Sequence, residues 1–444
     1  MILLLESLLK FYPDFNHKRF NAEGIFKKTF PDDSIFKESK LRRRMSELVV
    51  LIYDYLKLQE LKDNEFLGQS LLRQSLAKRS SSDLFLMATN NYQKKLDASP
   101  VRDHQYYYEK YAVFHDLYLQ SIRLTFSGNQ DHLIESNWHL DRFYFMAKLE
   151  LGCGILSRSE LINNCKTLPF FNDILKLFKK HTKFDDPQFK IHLALINLYQ
   201  EGINDDLFHY TFNLLQENIY LFSTYQQASI IYQLINYTSK RSNANEQDFF
   251  VHQIKLFQLG LKEGSFLENG FLPENTFLNI SVSFAIAKNF AAIDQLIDHY
   301  LIKLPFSKQD QAKKLALAFK YFHQSNFQQT FDIIKNLNEY SLYYKLRIRL
   351  LKLRCLYEIQ IKDQLFRKLL LSEIKTYESL FKRESEIVGQ SIQMYLNFSE
   401  ALRSIIHRNT TKPISTIKNK LVLKINTYEN LVARKWLLDK VKQL

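Results

Sequence analysis

Apolar positions return every three or four residues along almost the whole chain, the spacing of one face of an α-helix. Residues 1–30 join an apolar start, Met1-Ile2-Leu3-Leu4-Leu5-Glu6, to a basic, aromatic stretch. That start lacks a positive leader, so it predicts a first amphipathic helix rather than a signal peptide. The run over roughly 35–60 carries Met45, Leu48, Val49 and Ile52 at helix spacing. Ser80-Ser81-Ser82-Asp83 supplies N-cap candidates for the next helix. Residues 103–126 and 130–152 predict two more helices, rich in Tyr, Phe and Leu. After Pro169, short helices alternate with polar turns to about residue 375. A long helix over roughly 384–407 follows, Thr410-Thr411-Lys412-Pro413 breaks it, and one last helix closes the chain.

The alternation carries a register. Helix-start signals fall near Asp206, Gln247, Asn289, Asn326 and Asp363, the last three at intervals of 37 residues. Ser281, Ala318 and Cys355 keep that interval, as small residues where two helix backbones can approach. So do the apolar sets Leu296, Ile333, Leu370; Ile297, Ile334, Leu371; and Tyr300, Leu337, Ile374. Asn289-Phe290 recurs as Asn326-Phe327, whereas Gln364 takes the Phe site of the third unit, ahead of Leu365 and Phe366. In 312–323, Ala312, Leu315, Ala316, Phe319 and Phe322 form one stripe, and Ala318 and Tyr321 part of a second. A helix apolar on two sides is sandwiched between neighbours.

A helix pair with a small residue in its first helix, an aromatic three residues later (Phe284, Tyr321), an apolar stripe in its second helix and Pro305 after it resembles a tetratricopeptide repeat (TPR). The departures are a 37-residue period rather than about 34, unfilled Trp and Gly positions, and Glu358 at the third aromatic site. The resemblance covers 270–380, more loosely 185–270. It implies a right-handed α-helical solenoid that binds peptides or protein helices in a concave groove, with no catalytic residue. The expected organisation is an N-terminal helical region over 1–180, either separate from the array or continuous with it, TPR-like pairs over 181–380, and a long helix plus a basic capping helix over 381–444.

Composition narrows the choice to an all-α fold. Ten Gly and eight Pro make up about 4% of 444 residues, against about 12% on average. So few breakers leave little room for hairpins or Gly-rich loops. No apolar run reads as a membrane span: 218–239 is uncharged but holds Ser223, Gln226, Gln227, Gln233, Asn236 and Thr238. Cys153, Cys165 and Cys355 are too few and too scattered for a disulfide framework, which points to reduced thiols and the cytoplasm.

Candidate chemistry is sparse, and no cofactor is expected. GxxxxGK[ST], GxGxxG and GxSxG are absent. Gly152-Cys153-Gly154 reads as a helix end. His132, Glu135 and His139 share a helix face and could offer two imidazoles and a carboxylate to a metal, but a solvated polar face explains them as well. No His stands three or four residues from a Cys, and Cys355 falls in the packed column. The pairs Asp32-Asp33, Asp185-Asp186 and Asp205-Asp206 precede helical runs and suit helix N-termini.

The net charge of +14 suits an acidic partner. Lys40, Arg42, Arg43 and Arg44 cluster, and residues 401–444 hold ten basic against two acidic residues. Lys345, Arg349 and Lys352 share one helix face; with Lys418, Lys420, Lys424, Arg434 and Lys435 they are the expected partner-binding cations. The expected function is a non-enzymatic protein–protein interaction scaffold or adaptor that binds an acidic protein partner. The alternative is a nucleic-acid-binding helical repeat gripping phosphates through 401–444.

Overall fold

The computed structural model describes residues 1–12, 15, 17, 20–125, 127–162, 170–180, 184–202, 204–243, 248–337, 341–383, 392–408, 413–428 and 431–444. Cys165, Pro169, Gln247, most of the Thr410–Pro413 break and the start of the helix expected from 384 lie outside these. Among the described residues the fold is all-α, with no strand. The helices are α1 (Ile2–Leu9), α2 (Ala22–Thr29), α3 (Glu38–Asp63), α4 (Glu65–Lys78), α5 (Ser82–Ala98), α6 (His104–Leu124) and α7 (Gln130–Ile162). Next come α8 (Phe171–Lys180), α9 (Pro187–Gln200), α10 (Asp205–Asn218), α11 (Thr224–Asn243), α12 (Asp248–Lys262), α13 (Glu274–Ile286) and α14 (Phe290–Tyr300). The last are α15 (Phe306–His323), α16 (Phe327–Ile334), α17 (Leu342–Lys362), α18 (Phe366–Arg383), α19 (Ile392–Ile406), α20 (Ile414–Thr427) and α21 (Arg434–Gln443).

The chain forms two compact units: Met1–Ser99 with Tyr108–Leu140, and Pro100–Tyr107 with Asp141–Leu444. Phe145, Phe178, Phe184 and Phe189 stack with ring centroids 4.9–6.1 Å apart, tying α7 to α8 and α9 across residue 180. Leu353, Leu370, Phe381, Phe398 and Leu437 share one core across residue 380.

The first unit has two small cores. Leu4, Ile25, Phe26, Leu41 and Leu48 gather α1, α2 and the first half of α3. Phe85, Tyr92, Val113 and Leu117 hold α5 against α6. Arg73, fully buried, donates from Nε to Asp116 at 2.9 Å and lies 5.4 Å from the Tyr92 ring.

In the second unit, α7 runs through Gly152-Cys153-Gly154 to Ile162, so the helix end expected there is absent. Gly152 instead lets the Phe171 ring approach, since a Cβ would stand 2.2 Å from it. The uncharged stretch 218–239 keeps its polar groups inside. Gln227 Nε2 donates to the carbonyls of Ile219 and Phe222, each at 3.0 Å, and Ser265 Oγ to Gln227 Oε1 at 2.7 Å.

The 37-residue register is visible in the turns. Asn289 and Asn326 cap α14 and α16, their side chains accepting from the amides of Ala292 (3.2 Å) and Gln329 (3.4 Å). Lys288 and Ser325, just before them, are left-handed at φ 58° and 62°. The amides of Asn289 and Asn326 close onto the carbonyls of Phe284 and Tyr321, both at 2.9 Å, a Schellman closure made without glycine. The third unit differs, as its sequence does. Asp363 is extended at φ −135°, and its Oδ1 accepts from the Leu365 amide at 3.0 Å. Ser281, Ala318 and Cys355 are all fully buried. Both stripes of α15 have cover, because it touches α13, α14, α16 and α17.

The last helix is held by one buried anion. Glu358 accepts from Trp436 Nε1 at 2.9 Å and from Lys440 Nζ at 2.9 Å. Arg354 lies 5.4 Å from the Trp436 ring and 4.4 Å from that of Phe322; burial draws its pKa down to about 10. Leu437 and Val441 complete the seam. Glu358, at the site where the TPR resemblance expects an aromatic, is the acceptor that α21 docks upon. Glu358→Ala should destabilise the chain by about 3 kcal/mol, since it strands Lys440 and the indole N–H. Urea unfolding followed by far-UV dichroism measures this, and Glu358→Gln should cost less.

Candidate interaction surface

The groups that could have served catalysis are built into packing. Cys153 is fully buried and its Sγ donates to the His192 carbonyl at 3.3 Å. Cys355 Sγ donates to the Phe327 carbonyl at 3.1 Å. Burial pushes the Cys153 thiol well up and the Cys355 thiol up to about 12, away from the thiolate a nucleophile needs. His139 stacks on Phe114 with centroids 5.5 Å apart, and His132 lies against the same ring at 6.3 Å. Glu135 is 3.8 Å from His139. Among the described residues no group of three or more His, Cys, Asp or Glu is placed to hold a metal ion.

The paired acids do local work. Asp33 pairs with Lys40, Asp185 with Lys190 at 2.8 Å, and Asp186 with Arg142 at 2.8 Å. Asp205 and Asp206 sit in the first turn of α10, where the capping oxygen is that of Asn204.

Much of the expected cationic surface is occupied by the chain itself. Lys352 turns to α18 and pairs with Glu373 at 2.7 Å. Lys345 and Arg349, on the same face, are half-buried and engaged. Lys418 donates to the Lys442 carbonyl at 2.9 Å, and Lys424 pairs with Glu400 at 2.7 Å. Arg434 donates to the carbonyls of Ile425 and Tyr428. Lys420 and Lys435 are exposed. At the other end, Arg42 pairs with Glu38 (2.7 Å), and Arg43 and Arg44 with Glu47 (3.1 and 2.9 Å).

The conspicuous free surface is apolar. Helix α3 buries only Leu41 and Leu48. Every residue of 49–58 is exposed, and all but Asp54 and Lys57 are apolar or aromatic: Val49, Val50, Leu51, Ile52, Tyr53, Tyr55, Leu56 and Leu58. Asp54 and Lys57 pair with each other at 3.1 Å. Tyr53, Leu56, Lys57, Gln59, Glu60, Asp63 and Leu67 line an open groove of about 580 Å³. On α4, Leu67, Leu71 and Leu72 add to the exposed area. Helices apolar all round are ordinarily buried, so a free apolar patch of this size stands out on a folded chain.

The helical spacing of Met45, Val49 and Ile52 suggests a core face, yet the three are 40%, 42% and 40% exposed. The overlooked signal is 49–53, where five successive apolar residues wrap beyond any single stripe. No described helix is long and apolar enough to cross a membrane. Compared with family models, curated proteins and solved structures, the chain matches none.

Buried His192 and half-buried His323 give the fold an acid sensitivity. Burial, with Arg354 and Lys288 nearby, lowers the His323 pKa to about 3, and burial also lowers that of His192. An unfolded His titrates near 6.5. Between about 6.5 and 3 the unfolded chain therefore binds protons at His323 that the folded chain refuses, so stability falls as pH falls. His104 has its pKa raised by its hydrogen bond to Glu150. Its contribution has the opposite sign: it is complete below about 6.5 and lost as pH rises through the raised value. His323→Gln should reduce the acid slope of unfolding free energy by up to about 1.4 kcal/mol per pH unit between pH 6 and 4. Denaturant titrations at several pH values give that slope directly.

Proposed function

We propose that this chain is a non-enzymatic protein–protein interaction scaffold or adaptor, a TPR-like helical-repeat protein of the cytoplasm. The observation that carries the proposal is the uncovered apolar length of α3 at 49–58. The helix pairs α13–α14, α15–α16 and α17–α18 act as the rigid array, and α3 as a contact element. Tyr53, Tyr55 and Leu56 are the anchors: large side chains that lose little conformational freedom when a partner's helix or groove closes over them. Exposed Lys420 and Lys435 steer an acidic partner toward the chain and add little to the final affinity. The buried thiols of Cys153 and Cys355 suit a reducing compartment.

A tagged full-length chain, used as bait in native extract with and without nuclease, tests this. Specific proteins should survive nuclease and fall at least about tenfold with Tyr53→Ala/Leu56→Ala, the loss expected of anchor residues. Recovery of RNA or DNA, with the proteins lost on nuclease treatment, would favour the nucleic-acid alternative.

A further inference from the structure

Resting on the adaptor function proposed above, we infer that, until a partner takes its place, α3 is covered by α3 of a second copy of this chain, packed antiparallel about a two-fold axis near Ile52.

Area is the first argument. The eight exposed apolar side chains of 49–58 offer on the order of 800 Å², about what each partner contributes to a standard protein interface. They are centred on the second half of one helix; Leu67 of α4 lines the same groove as Tyr53 and Leu56, and Leu71 and Leu72 of α4 are exposed as well. Two α3–α4 hairpins can therefore cover each other on more than one side. A partner touching one face only would leave the remainder of the helix in water.

Charge is the second argument, and it sets the direction. Before the patch, Lys40, Arg42, Arg43 and Arg44 outnumber Glu38 and Glu47. From its middle onward, Asp54, Glu60, Asp63 and Glu65 outnumber Lys57 and Lys62. Within the chain Lys40 pairs with Asp33 and Glu65 with Lys95, so the charges named leave the first end net positive by one and the second net negative by one. Antiparallel pairing lays the basic end of each copy along the acidic end of the other, twice per dimer. Parallel pairing lays like on like. A two-fold axis uses the same patch on both copies, which is the requirement for a closed dimer. An anionic membrane would attract one end of α3 and repel the other.

The test is sedimentation of the full chain at about 1 to 100 μM, around the affinity a patch of this size supports. The wild type should be a dimer, and Leu51→Asp/Leu56→Asp a monomer with unchanged helical dichroism, because both residues are exposed in the single chain. Arg43→Glu/Arg44→Glu and Glu60→Lys/Asp63→Lys should each raise the dimer dissociation constant about tenfold or more. The fourfold variant that carries both swaps should recover the dimer, since its acidic first end meets the basic second end of another copy only in the antiparallel arrangement. A wild type that stays monomeric throughout, or a dimer indifferent to Leu51→Asp/Leu56→Asp, would overturn the self-association. Failure of the fourfold variant to recover would overturn the antiparallel arrangement. If the wild type is monomeric while Tyr53→Ala/Leu56→Ala still releases nuclease-resistant proteins, only self-association has failed and the adaptor function stands.

Discussion

An α-helix satisfies its own backbone hydrogen bonds but cannot hide its own apolar face. With no strand among the described residues, every helix must find cover on another helix. That constraint organises the second unit. Helix α15 has two apolar stripes, and other helices of its unit pack against it. Ser281, Ala318 and Cys355 are small and fully buried. The two matching turns, with left-handed Lys288 and Ser325 ahead of capping Asn289 and Asn326, set how sharply one helix folds back on the last. At the end of the chain, α21 is fixed by Leu437 and Val441 and by the hydrogen bonds that Glu358 accepts.

The same constraint makes α3 exceptional. Its first half is covered, through Leu41 and Leu48, and its second half is not. The exposed segment lacks the polar face that would let a helix rest in water, since its charged pair, Asp54 and Lys57, is satisfied internally. Hydrophobic area left in water is a standing driving force for association. The adaptor proposal follows from that force, while the candidate cations largely serve the chain's own carbonyls and carboxylates. Electrostatics would then direct encounters, and the apolar helix would supply the affinity.

Most helices were legible in the sequence because apolar periodicity reports burial, and burial on one side is the common case. The 37-residue spacing was legible at Asn289 and Asn326 because a capping side chain has a direct sequence signature. Three features were not. Gly152 looked like a helix end because glycine usually marks one, whereas here a distant ring, Phe171, requires its small size. Glu358 looked like a defect in an aromatic column because its partners, Trp436 and Lys440, lie some eighty residues away. On α3, the helix spacing of Met45, Leu48, Val49 and Ile52 did not say which of them is covered, and only Leu48 is buried, because spacing alone cannot tell a face buried within the chain from one kept for another molecule. The compact units were also hidden, since the aromatic stacking that joins α7 to α8 and α9 is a contact of the folded chain.

The most direct measurement of the central claim, that 49–58 is a contact surface kept open by the single chain, is amide hydrogen exchange on the full protein at low and high concentration. Slow exchange should appear in the peptide covering 49–58 only as concentration rises, while peptides from α13–α16 exchange equally slowly throughout. Equal exchange of 49–58 at both concentrations, already as slow as the packed helices, would contradict it, because the segment would then be covered within one chain.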